Sequence, residues 1–378
     1  MKKIISISAL LIFGITIFCF SFNFDKEKPL QDNVVFAITI DGVKQNNFPT
    51  TGNYKVNSNC TGGVGKWLAI EKKFIVEDIT GSVNCSIAFT TITSEDYITN
   101  YVDNEGVSGD GSIINDNGYR YTGKNPNNYV WFNNEMWRII GSFDTAETGI
   151  SNGNYNVKII RDEVLGGYAW SSANTNIWYG TSESTASDLY KILNINYYNA
   201  TDGTNSGYCY GYSTTAKADC NFTETGIQSA YRSMIMNAKW RTGGYSSPSV
   251  TASEMFGYEG TTSYDEVTRP LISPGYIGLM NASDYGYTSS SCYTSTKLSS
   301  MNTSTCTGSN WLYGKGDEWT LGLYSSNSEV AFYAGIDGYV SCTSVFLGFS
   351  TRPVLYLKSN VYVVSGDGSE TNPYILGM

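Results

Sequence analysis

The sequence predicts a β-dominated α+β chain with two folded units behind an apolar leader. Three observations carry this. Short runs of period two recur between Gly, Asn and Asp turn signals. A helical period shows in only two stretches. With 378 residues, the chain exceeds the span of a single core, since domains typically hold about 50–250 residues.

The leader comes first. Met1-Lys2-Lys3 precedes the uncharged run Ile4–Phe22. Lysines ahead of an apolar stretch keep the N-terminus in the cytoplasm and send the rest outside. A bilayer span needs about 20 apolar residues, so residues 1–24 read as a signal anchor, ahead of a cleaved signal peptide as second reading. Phe18, Phe20 and Phe22 disfavour cleavage after Ser21. The expected location is the outer face of the membrane, or the medium if the leader is removed. Residues 25–34 read as a tether.

Residues 35–93 predict a small all-β, sandwich-like module. Val35–Ile40 runs into the hairpin signal Asp41-Gly42. Tyr54–Val56, Phe74–Val76 and the alternating Ser82–Phe89 supply further strands. So small a module has a thin core, which a Cys60–Cys85 staple would reinforce. Residues 94–118 read as a polar linker.

The remainder, 119–378, is a larger mixed domain. Tyr129–Phe132 and Met136–Ile140 predict a hairpin about Asn133-Asn134, with Val157–Asp162 pairing as the third strand. Helices are expected at Ala186–Asn196 and Thr225–Arg241. In the second, Ile227, Tyr231, Ile235, Ala238 and Trp240 share a face, and Gly243-Gly244 follows. Residues 245–312 read as loop-rich, with a strand within Gly275–Met280. Strands return at Glu318–Leu323, Val330–Tyr333, Tyr339–Cys342 and Pro353–Lys358, the last apolar enough to be central.

Composition narrows the function. The net charge of −10 repels phosphate backbones and argues against a nucleic-acid partner. The chain has no histidine, which removes Ser-His-Asp and Cys-His nucleophiles, His-containing zinc sites and histidine pH switches. No cofactor or metal site is indicated. The 30 Tyr suit a contact surface, although β propensity and compositional bias explain them more simply. Outside the leader, Cys60/Cys85, Cys209/Cys220 and Cys292/Cys306 fall into sequence-local pairs and leave Cys342 over. An exported chain permits disulfides. Each would add about 2–4 kcal/mol.

Val107–Ser112 recurs as Val364–Ser369. Calcium takes six to eight oxygens, and one carboxylate per copy favours simple glycine turns over metal loops.

The segment Tyr119–Ile140, with Ile277–Met280, Ser283–Tyr287, Trp319-Thr320-Leu321, Thr351–Leu357 and Gly366–Tyr374, resembles a C-type-lectin-like domain of unknown function found in surface proteins of Gram-positive-type bacteria. The likeness spans about Gly118–Leu376. Phe349-Ser350-Thr351 departs from it where a Gly-Val usually precedes Arg352, and Leu323 stands where Pro is common. The resemblance implies a compact mixed fold with paired terminal strands and loops over one side. The Glu-Pro-Asn, Gln-Pro-Asp and Trp-Asn-Asp triads of calcium-dependent sugar binders do not occur. The paired cysteines of sulfatase activators are likewise missing near Cys342.

The same resemblance places a ligand face on the ribbon flanked by Tyr324, Tyr333 and Tyr339. Trp170, Trp178 and Trp311 have two readings: stacking platforms on polar loops, or plugs at the bases of those loops, which the usual burial of Trp favours. Arg352 is expected to pair with Asp162 or Glu163. Asp110, Asp367, Glu135 and Asp162 are candidate acid–base carboxylates without supporting spacing. The expected function is non-catalytic recognition of a glycan or protein ligand at the cell surface. An envelope or assembly role comes second and a carboxylate-based glycan hydrolase third.

Overall fold

The computed structural model describes residues 34–378 and, for its backbone, the strand Ile5–Ile7. Apart from that strand, the expected leader and the tether up to Asn33 lie outside the described residues. No described helix is long and apolar enough to cross a membrane. The chain is β-dominated with short helices, and it divides into two units.

The first unit comprises the described residues up to Asp96, with Tyr362–Ser365 and Leu376–Met378. One of its sheets has the order Val43–Gln45, Val34–Ile40, Val83–Thr91, Tyr54–Thr61. The other orders Ile5–Ile7, Lys73–Glu77, Val64–Leu68. Aromatic rings from both sheets meet between them. Phe36 packs edge-on to Phe74 at 5.7 Å and Trp67 edge-on to Phe89 at 4.9 Å, while Phe48 stacks on Phe74 at 5.3 Å. Such pairs add about 0.5–1.5 kcal/mol each beyond burial, which suits a module with a small core. Asp41 (φ 47°) and Gly42 (φ 80°) form the expected hairpin turn. Cys60 lies directly opposite Cys85 on neighbouring strands, and the two are disulfide-bonded.

The second unit holds residues 97–361 and 366–375. Its large sheet runs Ile277–Gly278, Val354–Tyr356, Asn156–Arg161, Glu135–Phe143, Tyr119–Asn125, Asp110–Asn115, Gly106–Ser108. Val354–Tyr356 therefore has neighbours on both sides, as its unbroken apolarity predicts. Asn133 (φ 56°) and Asn134 (φ 61°) make the turn between Tyr129–Phe132 and Glu135–Phe143. Val130 and Trp131 also pair in parallel with Tyr374 and Ile375, so the two ends of this unit meet. Within 94–118, expected as linker, the chain forms the helix Ile98–Val102 and a hairpin that extends the large sheet.

A second sheet orders Gly166–Ala169, Gly348–Thr351, Glu318–Leu323, Val330–Ala334, Val340–Ser344. The Cys209–Cys220 and Cys292–Cys306 disulfides close the loops expected for them.

The helix expected near Ala186 is present as Asp188–Lys191, continued by wider turns to Tyr197. The helix expected over Thr225–Arg241 shrinks to Ser229–Arg232. Beyond it the backbone bonds across the sheet: Met236 N–H donates to Tyr356 O at 2.9 Å, and Lys358 N–H donates to Met234 O at 2.9 Å. Ala238–Arg241 then pairs with Ile272–Gly275. These partners satisfy the groups a helix would have satisfied internally. Conversely, the loop-rich 245–312 contains the helix Ala252–Thr261, opened by a Thr251/Glu254 capping box.

Candidate functional site

The site is built around the ribbon Val330–Ala334/Val340–Ser344. Tyr333 sits between Trp319 on one neighbouring strand and Ser341 on the other. Residues directly opposite across a sheet share a face, so these three form one row. Phe349 joins it: its ring lies 4.7 Å from Trp319 and 4.7 Å from Tyr333. Trp319 is the buried floor, whereas Tyr333, Phe349, Ser341 and Tyr339 are half-exposed. Burial, with Tyr339 nearby, pushes the Tyr333 hydroxyl up to about 12, opposed by a hydrogen bond with Ser341. It stays a neutral donor and acceptor at physiological pH.

The ribbon's end is fixed by its turn. Gly335 N–H donates to Tyr339 O at 2.7 Å, and Ile336 N–H donates to an Asp317 carboxylate oxygen at 2.8 Å. Gly338 adopts φ 98°, a region open to glycine. Ile336 is left 55% exposed at the tip. The result is a held aromatic and hydroxyl surface, suited to stacking and hydrogen bonding.

Tyr333 and Tyr339 are thus brought together, but Tyr324 is not. Its ring packs on Phe332 at 5.7 Å, and Phe332, adjacent to Tyr333 on one strand, points to the opposite face. Trp170, Trp178 and Trp311 are not platforms either, being 0%, 3% and 6% exposed. The Trp170 indole donates to Ile177 O at 3.1 Å, closing its own loop, and its ring meets Trp178 and Trp319. Trp311 donates to Tyr121 O at 3.0 Å and covers the Arg138 guanidinium. Cys342 lies opposite Phe332 and is half-buried, with its thiol pushed up by burial, the opposite of a reactive thiolate.

Arg352 pairs with Glu318 at 2.8 Å, both almost fully buried, instead of Asp162 or Glu163. Those two carboxylates face Lys315, at 3.9 and 2.9 Å. Glu318 opens the strand parallel to Gly348–Thr351, so strand pairing delivers it to Arg352 from 34 residues upstream. Glu135 is likewise engaged, with Arg161 at 2.7 Å. The repeat copies are turns: Gly109, Gly366 and Gly368 all have positive φ. Both copies abut Asn127, whose backbone a Cβ at Gly109 or Gly368 would strike at 3.0 and 2.6 Å. Among the described residues, no group of three or more acidic or cysteine side chains is placed to hold a metal.

The other concentration of charge is interior. Asp284 binds both Arg120, at 2.9 Å, and Lys158, all three almost fully buried. Glu259 lies beside them, held by the Ser283 hydroxyl at 2.6 Å and the Ser283 amide at 3.0 Å. The space these groups leave is about 10 Å³, too small for any ligand. The members of this cluster are scattered along the sequence, which hides it there, whereas Phe349 stands out in the sequence only as a departure from the lectin-like pattern, with nothing local to give it a role.

Comparison with protein-family models, curated proteins and solved structures finds no match for this chain.

Proposed function

We propose that the chain is an exported surface recognition protein, its larger unit a C-type-lectin-like domain that binds a glycan or protein ligand through the ribbon face. The observation that carries the reading is the half-exposed Tyr333–Tyr339–Phe349 cluster seated on buried Trp319. Rigid aromatic rings lose little conformational entropy on binding, and here they are braced by a sheet. Three disulfides fit an oxidising location, and the apolar leader supplies the export route and an anchor at the outer membrane face. The test is a screen of the full-length oxidised chain, in detergent, against a glycan array and immobilised extracellular-matrix proteins. Saturable binding is expected. Self-association with no ligand bound would overturn the reading in favour of an envelope scaffold.

A further inference from the structure

We propose that a groove beside the Cys209–Cys220 loop is a saccharide subsite, with Tyr212 as the ring on which a pyranose stacks. The proposal rests on the recognition reading above and deepens it by naming the ligand class.

The disulfide makes the loop a rigid presenter. Cys209 and Cys220 are both fully buried, yet Tyr212 between them is 74% exposed. Glycines bed the residue: a Cβ at Gly167 would stand 2.7 Å from Cε1 of the Tyr212 ring, and one at Gly348 only 2.5 Å from its backbone Cα. Gly348 N–H donates to Tyr212 O at 3.0 Å, and Ser213 bridges to Leu347. Two bare glycines thus let the loop lie flush on the sheet, while most of the ring faces solvent.

The groove that Tyr212 helps to line measures about 430 Å³, within the range of small-ligand sites. Its lining includes Lys217, Asp219 and Asn221, a cationic donor, an anionic acceptor and an amide. Lys217 is steadied by Ser206 O at 3.2 Å and by the Tyr210 ring at 4.3 Å. An Asp219 carboxylate oxygen accepts the backbone N–H of Asn221 at 2.9 Å. An open ring face beside donors and acceptors of both kinds matches a pyranose, which has an apolar C–H face edged by hydroxyls. A peptide fits less well. The neighbouring strand Gly166–Ala169 already donates its Ala169 N–H to Tyr210 O at 3.2 Å, so an added strand would meet an occupied ladder there.

The experiment uses the full-length oxidised chain on an array of neutral hexose- and N-acetylhexosamine-containing oligosaccharides, followed by titration calorimetry with the bound ones. Tyr212 is exposed, so Tyr212→Ala should keep the wild-type melting temperature. It should weaken saccharide binding about tenfold, as loss of an aromatic anchor does, while Tyr212→Phe keeps the affinity. Saccharide binding unchanged in Tyr212→Ala but lost in Tyr333→Ala would overturn the subsite and leave the recognition reading standing. Binding to matrix proteins with none to saccharides would do the same. Binding to neither would overturn both.

Discussion

Replacing Glu259 with Gln should stabilise the larger unit at neutral and alkaline pH and leave it unchanged in acid. Glu259 is 1% exposed. Burial pushes its carboxyl up from 4.5 to about 7, with the Asp284 charge adding to the rise and Ser283 and Arg241 opposing it. Arg241 gives limited relief, because its Nε finds no hydrogen-bond partner and its guanidinium lies over Phe256 at 4.0 Å. The sign follows from proton counts. Below pH 4.5 the folded and unfolded chains both hold the proton, and there is no penalty. Between 4.5 and about 7 only the folded chain holds it, so stability falls as pH rises, and above that window the penalty is complete. At about 1.4 kcal/mol per pH unit, the full cost is about 3 kcal/mol. Gln keeps the shape: its carbonyl accepts the Ser283 N–H, and its amide can donate to the Ser283 hydroxyl. Thermal melts of wild type and Glu259→Gln from pH 4 to 9 test this. In a unit of this size about 1 kcal/mol corresponds to about 2–4 °C, so the curves should coincide in acid and separate by about 6–12 °C at pH 8. Parallel curves across the range would refute the assignment of a proton to Glu259.

Other outcomes follow from the same geometry. Arg352→Met leaves Glu318 buried without its cation and should cost about 3–5 kcal/mol at pH 7, less at pH 4, where Glu318 can take up a proton; urea unfolding at the two pH values checks it. Trp170→Ala should lower the urea midpoint by the equivalent of about 3–5 kcal/mol, as befits a buried plug. Replacing Cys209 and Cys220 together by Ala should cost about 2–4 kcal/mol, seen as an earlier melt of the larger unit. Chelation of calcium should leave both melting transitions in place, because each Val-Ser-Gly-Asp-Gly-Ser copy brings a single carboxylate.

What could be read in the sequence was local. The Asp41-Gly42 and Asn133-Asn134 turns announce themselves through residues that tolerate positive φ, and the three disulfides join cysteines already close in sequence. The Thr251-x-x-Glu254 box was equally local but was passed over within the stretch expected as loop-rich, where it opens a helix that hydrophobic period alone does not show. What failed depended on which strands pair. A helical period over Thr225–Arg241 lost to sheet partners more than 100 residues away, Tyr356 and Lys358. Arg352 found Glu318 across neighbouring strands and passed over the acids near residue 162.

The candidate site shows the same division. Tyr333 and Tyr339 were legible as ribbon residues. Strand alternation turned Tyr324 away, and the bulk of the three Trp carried them inward. Phe349, a departure from the lectin-like pattern, supplies the ring that links Trp319 to Tyr333.

The most direct test of recognition through the ribbon compares full-length wild type, Tyr333→Ala/Tyr339→Ala and Tyr324→Ala for binding to whichever extracellular ligand the wild type takes up. Loss in the double variant, with Tyr324→Ala binding as wild type and all three melting alike, is the predicted result. Equal binding by the folded double variant would contradict it.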